Sequence, residues 1–148
     1  MVSQTSNDEF PAPTVAAMLR LAWEQFMAEV WPALAAAGFD DLRPVHRPIL
    51  RNVLREVRPT ELAAILGLSK QSVNDILREF EAMGYITLVP DPDDGRAKRI
   101  QITERGRALL NTVMQAGQPV LRRWAEQVGE DRYTVFETVL REITGDEH

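Results

Sequence analysis

Apolar side chains recur at three- and four-residue steps across residues 15–37, through Met18, Leu19, Ala22, Trp23, Phe26, Met27 and Val30, which is the spacing of one amphipathic helix. Pro32 is expected to kink or restart it, because proline lacks the amide proton a helix interior uses, and Gly38 is a stop. A second helix begins near Pro44 to Pro48, carries Ile49, Leu50, Val53 and Leu54 on one face, and ends before Pro59. Two short helices follow. Thr60 is placed to cap the first, with Glu61 at its positive end, an inward stripe of Leu62, Ala63, Ile65 and Leu66, and Gly67 closing it. Ser69 caps the next, whose inward face is Val73, Ile76, Leu77, Phe80 and Met83, and Gly84 ends it.

The period then becomes extended. Residues 85–89 and 98–102 are rich in β-branched side chains, and Pro90-Asp91-Pro92-Asp93-Asp94-Gly95 between them is a concentrated turn signal, so a two-strand hairpin is predicted. Thr103 caps a long helix through Leu109, Leu110, Val113 and Met114, expected to bend or break around Gly117 and Pro119 before continuing through Leu121, Trp124 and Val128. A last helix uses Tyr133, Phe136, Val139, Leu140 and Ile143.

Helix, tight turn, helix and hairpin in that order are the layout of a winged helix-turn-helix. The expected fold is therefore mainly α with a small β-hairpin (α+β), the winged unit being flanked by N- and C-terminal dimerisation helices. Residues 1–13 read as a flexible arm, 14–43 as the N-terminal dimerisation helix, 44–103 as the winged unit and 104–148 as the C-terminal dimerisation helices. Trp23, Phe26, Trp124, Tyr133 and Phe136 offer more apolar surface than a small head covers alone, which argues for a dimer.

Composition narrows the function classes. With 45% hydrophobic and 26% charged residues the chain belongs among folded globular proteins. It has no cysteine, which removes disulfides, thiol nucleophiles and Cys-based zinc sites. Without an export signal or a membrane-length apolar run, a cytoplasmic protein with no membrane partner is expected. The two histidines, His46 and the terminal His148, have no clustered acidic partners, so neither a metal nor a cofactor is expected, and His46 reads as a satisfied structural residue. No phosphate loop, nucleophile elbow or zinc-protease helix occurs, so an enzyme is not expected. A winged helix serving only as a protein-interaction module is the alternative.

With Val73, Ile76, Leu77 and Phe80 turned inward, Lys70, Gln71, Asn74, Asp75 and Arg78 lie on the outside or flank of their helix. Gln and Asn match adenine edges, and Lys and Arg meet guanine or phosphate, so the set is suited to reading duplex DNA. Thr60, Ser69 and Ser72 are caps and turn residues first and phosphate contacts second. In the hairpin Arg96 is placed to enter a minor groove; of Lys98 and Arg99, strand alternation sends at most one toward phosphate, and Lys98 is the choice. Asp94 and Gly95 are expected to shape the loop, Asp94 by aiming Arg96. The net charge of -5 opposes nucleic-acid binding, but from Arg58 to Arg107 eight basic residues balance eight acidic ones, so the excess acid lies elsewhere.

Pro59-Thr60-Glu61-Leu62-Ala63, Leu66-Gly67-Leu68-Ser69-Lys70-Gln71-Ser72-Val73, Phe80-Glu81-Ala82-Met83-Gly84-Tyr85-Ile86 and the run Asp91-Pro92-Asp93-Asp94-Gly95-Arg96-Ala97-Lys98-Arg99-Ile100-Gln101-Ile102-Thr103-Glu104-Arg105-Gly106 resemble the multiple-antibiotic-resistance-regulator (MarR) family. The acidic wing, its arginine and the Thr-Glu-x-Gly that follows are specific together. The resemblance implies a homodimeric transcription regulator, a repressor, with interleaved terminal helices and outer wings. It also implies a pseudopalindromic double-stranded operator and control by a small organic effector. Asp75 departs from the basic or hydroxyl residue relatives often place there; it costs phosphate affinity but can accept a hydrogen bond from a cytosine amino group or orient Arg78. Met18, Trp23, Phe26, Met27 and Trp31 read as core or dimer interface before ligand box, and the effector-binding residues are unknown.

Overall fold

A computed structural model describes residues 12–46, 50, 52–53 and 57–145. Helix α1 (Val15–Ala36) starts where the Thr14 hydroxyl accepts the Ala17 amide at 3.2 Å. It runs through Pro32 as one helix, so of the expected kink or restart the restart is absent. One absent amide is outweighed by the packing of the helix, whose Met27, Val30 and Leu34 are buried. Pro44–His46 forms a single 3-10 turn. Leu50 and Val53 are helical and buried beyond it, whereas Ile49, Leu54, most of the N-terminal arm and His148 lie outside the described residues.

Helix α2 (Pro59–Leu66) corrects the expected cap. Arg58 occupies the N-cap position without a side-chain capping bond, Pro59 opens the helix, and Thr60 is already inside it. Proline suits this place because the first-turn amide has no helical partner to lose and its φ is preset. Gly67, at φ 63°, closes α2, and the Ser69 hydroxyl accepts the Ser72 amide at 3.1 Å to open α3 (Lys70–Ala82). Strands β1 (Ile86–Pro90) and β2 (Lys98–Ile102) pair antiparallel, with Ile86 opposite Ile102 and Leu88 opposite Ile100.

Helix α4 (Glu104–Val128) is unbroken across Gly117 and Pro119, so of the expected bend or break the break is absent. The glycine has a packing role: a Cβ there would lie 2.6 Å from the Phe26 ring, so its absence lets α1 lie close along α4. That contact sustains the helix where local propensity would weaken it. Helix α5 (Glu130–Thr144) completes the chain and has no buried residue among those described.

One apolar cluster joins these layers. Val30 and Leu34 of α1 meet Phe39, Leu42, Val53, Leu62 of α2, Val73, Leu77 and Phe80 of α3, Ile86 and Ile100 of the hairpin, and Leu109 of α4. Tyr85, fully buried, sits where the hairpin leaves α3. Its hydroxyl donates to Asp41, and the Arg105 guanidinium lies 4.6 Å from its ring centre while pairing with Asp41 at 3.0 Å. Burial, reinforced by the bond to the Asp41 carboxylate, pushes the phenol well above its ordinary pKa.

The Thr-Glu-x-Gly segment has its explanation at the same junction. Thr103 caps α4 by accepting the Gly106 amide at 3.1 Å, and its hydroxyl donates to the Gly84 carbonyl at 2.6 Å. A Cβ on Gly106 would stand 2.2 Å from the Tyr85 carbonyl oxygen, so only glycine lets the first turn of α4 seat against the hairpin root.

Candidate nucleic-acid interface

Helix α3 is divided by its own period. Val73, Leu77 and Phe80 are buried, and Lys70, Gln71, Ser72, Asn74, Asp75 and Arg78 are exposed. Lys70, Asn74 and Arg78 follow at four-residue steps, so they form one ridge, with Gln71 beside its first turn. Ser69 and Ser72 serve the cap first, their hydroxyls 2.9 Å apart. Arg78 and Asp75 approach to 3.8 Å, an ion contact too long for a hydrogen bond, and both side chains remain largely exposed. In water such a pair is weak and leaves the guanidinium free to turn to another anion.

Three local bonds order the hairpin loop. The Asp91 amide donates to the Ala97 carbonyl at 3.0 Å and the Ala97 amide to the Asp94 carbonyl at 2.9 Å. The Asp94 carboxylate accepts the Arg96 amide at 3.1 Å, an Asx turn that sets the backbone from which Arg96 projects. Arg96 is exposed. Gly95 is outside the positive-φ glycines, and a Cβ there would meet nothing within 4 Å, so any shaping by Gly95 does not come from its missing side chain. Lys98, opposite Pro90, shares a strand face with buried Ile100, while Arg99, opposite Val89, shares the other with exposed Gln101.

Three contacts escaped the sequence reading because their partners are distant along the chain. The exposed carboxylate of Glu79 on α3 meets both His46 and Arg43. Hydrogen bonds from His46 and then Arg43 hold the Glu79 carboxyl below its ordinary pKa. The Asp41, Tyr85 and Arg105 group ties the loop after α1 to the root of the hairpin. Arg58, at the start of α2, reaches Asp91 and Asp93 of the hairpin loop. A buried lone histidine was the one available sequence signal; the other two had none.

The aromatic set divides. Met27 is buried, Met18 is exposed, and Trp23 and Phe26 line an open groove of about 410 Å³ with Leu121, Trp124, Phe136 and Leu140. A second hollow of about 370 Å³ adjoins it, lined by Ala22, Trp124, Val128 and Tyr133. Both lie among α1, α4 and α5, rather than between the terminal helices and the winged unit. Among the described residues no group of three or more His, Asp or Glu could hold a metal ion, and no helix is long and apolar enough to cross a membrane.

An exposed polar face on the second helix of a helix-turn-helix, flanked by a two-stranded hairpin, defines a winged helix-turn-helix of the kind transcription regulators carry. Residues 40–97 match the profile of the MarR family. Among solved structures, transcriptional regulator Tm0710 from Thermotoga maritima is similar, at 27% identity over 86% of this chain and 89% of that one, with a TM-score of 0.58. NadR in complex with 4-hydroxyphenylacetate shares the fold at 19% identity and a TM-score of 0.69, covering 99% of this chain and 100% of that one. So does a mutant of S. aureus MepR bound to an oligodeoxyribonucleotide, at 16% identity and a TM-score of 0.56, covering 91% of this chain and 99% of that one. No curated protein matches the chain in sequence. The match over residues 40–97 and the shared fold place the winged unit among winged helix-turn-helix units of the MarR type.

Proposed function

We propose that the protein is a sequence-specific duplex-DNA-binding regulator, acting as a homodimeric repressor on a pseudopalindromic operator. Lys70, Gln71, Asn74 and Arg78 enter the major groove, with Gln71 and Asn74 reading base edges. Thr60, Ser69, Ser72 and Lys98 contact phosphate, and Arg96, aimed by Asp94, enters the minor groove. Residues 44–103 form the reading unit, while 14–43 and 104–148 supply the dimerising layer. The observation that carries this reading is that Lys70, Gln71, Asn74 and Arg78 of α3 are exposed while Val73, Leu77 and Phe80 are buried, so the same helix is anchored on one side and free on the other.

The oligodeoxyribonucleotide bound to the MepR mutant supports the DNA partner, and 4-hydroxyphenylacetate in NadR supports a small organic effector that relieves binding. The test starts from a protein-bound selection out of random duplexes, followed by affinity measurements on the selected operator at several salt concentrations. Arg96→Ala should weaken binding, most with A·T-rich flanks, and flatten the salt dependence; Arg96→Lys should rescue part, since the ammonium is more strongly hydrated. A parent protein that retains no duplex in a salt-dependent manner overturns the reading and leaves the protein-interaction module. An Arg96→Ala variant with parental affinity and salt slope removes the wing from it.

A further inference from the structure

Asp91 is the one acid that the fold buries among the described residues, at 3% exposure. It stands at the root of the hairpin loop, immediately after β1. One carboxylate oxygen accepts the Asp93 amide at 3.0 Å; the other, Oδ2, is buried and receives no hydrogen bond. The group facing that oxygen is the Arg58 guanidinium, whose Nε lies 3.3 Å away, while its Nη2 lies 3.6 Å from Asp93 Oδ2. Arg58 is available for this because its side chain does not cap α2. A forked, planar cation can face two carboxylates at once, which a lysine ammonium does less well.

We infer that Arg58 is a positioning residue for the wing: through Asp91 and Asp93 it holds loop 91–97 against the start of α2 at the angle that presents Arg96. The connection is continuous. Asp91 bonds Ala97, Ala97 bonds Asp94, and Asp94 holds the Arg96 amide. A buried carboxylate that loses its facing cation is costly, so the loop must move to hydrate Asp91 when Arg58 is removed. The alternative is that half-exposed Arg58 grips a phosphate directly. Two carboxylates beside it oppose that role, because they must be stripped from the guanidinium before phosphate replaces them.

The inference rests on the duplex-binding reading for its consequence but not for its geometry, so the test has a DNA-free arm. In the full-length protein without DNA, amide hydrogen exchange at Arg96 and Ala97 should be at least about tenfold faster in Arg58→Gln and in Asp91→Asn. Arg58→Lys should fall between these and the parent. Parental exchange rates in both variants overturn the latch, whatever the protein does with DNA.

Affinity then separates the two roles by sign. Asp91→Asn removes a negative charge near the proposed duplex, so simple electrostatics predicts tighter binding; a lost latch predicts weaker binding. Arg58→Gln and Asp91→Asn should each weaken operator binding about as much as Arg96→Ala, and Arg58→Gln should add little in the Arg96→Ala background. Arg58→Gln weakening while Asp91→Asn binds like or better than the parent overturns the inference in favour of direct phosphate contact, as does full additivity with Arg96→Ala. Thermal unfolding of each variant identifies a general loss of fold, and Arg58→Lys, which keeps the charge, then carries the comparison. A parent that binds no duplex defeats the functional reading alone and leaves the exchange result to decide the latch.

Discussion

Nε2 of His46 and Oε2 of Glu79 stand 2.9 Å apart, and because a carboxylate only accepts, the imidazole carries its proton on Nε2. Nδ1 is then the acceptor that the Arg43 amide needs, at 3.0 Å, and the ring sits edge-on to Phe80 with centroids 5.3 Å apart. Arg43 Nη2 reaches the same Glu79 oxygen at 2.7 Å. A turn that precedes the helix-turn-helix is thereby bonded to the outer edge of α3, close to the side chains proposed to read DNA.

This arrangement gives stability an acid limb. Since His46 and Arg43 lower the Glu79 pKa in the fold, the stabilisation is fully present above the ordinary carboxylate pKa of about 4.3 and is lost as pH falls through the lowered value. Glu79→Gln should be less stable than the parent at neutral pH, and the gap should close under acid. Urea unfolding of both proteins at neutral pH and near pH 3 checks this; a gap that stays constant between the two removes the carboxylate from the account.

Gly106 and Gly117 are predicted to respond differently to alanine although both are buried in α4. At Gly106 the new methyl would meet the Tyr85 carbonyl at 2.2 Å, and backbone has to move, at about 1–3 kcal/mol or more. At Gly117 it would meet the Phe26 ring, which can rotate, and alanine's helix propensity returns up to about 1 kcal/mol. Denaturant midpoints should place Gly106→Ala clearly below Gly117→Ala; equal losses would mean the junction at Tyr85 is more yielding than its geometry.

Gln71→Ala and Asn74→Ala should each lower discrimination between operator and scrambled duplex by about 1–3 kcal/mol where the contact is bidentate to a base, with nonspecific binding nearly unchanged. Competition binding with the two duplexes measures it. Equal weakening on both would make α3 a positioning element instead of a reader. Asp94→Ala should weaken operator binding despite removing a negative charge, because the Arg96 amide loses its acceptor; tighter binding would count against Asp94 as the group that aims Arg96.

The terminal helices should close on a second copy. Helix α5 has no fully buried residue within one chain, and Val135, Phe136, Val139 and Ile143 are all exposed. Light scattering at micromolar concentration should return the mass of two chains, and Ile143→Asp, placing a charge on that face, should shift it toward one. A parent mass of one chain sinks the two-half-site arrangement.

Much of the architecture could be read from local chemistry. Helical and extended periods located the elements, and Ser69 and Thr103 cap as read, since a hydroxyl and an amide three residues apart need no distant partner. The exposed set Lys70, Gln71, Asn74 and Arg78 followed from rotation about one helix axis once the apolar stripe was known. Local rules failed where packing outweighed them: α1 continues through Pro32 and α4 through Pro119, and Thr60 yields the start of α2 to Pro59. Only the tertiary structure decided which charges meet. The pairing of Glu79 with His46, of Asp41 with Tyr85 and Arg105, and of Arg58 with Asp91 depends on which surfaces the core brings together. An Arg or Asp carries no mark of its partner in the sequence, because Coulomb and hydrogen-bond energies depend on separation in space and not along the chain.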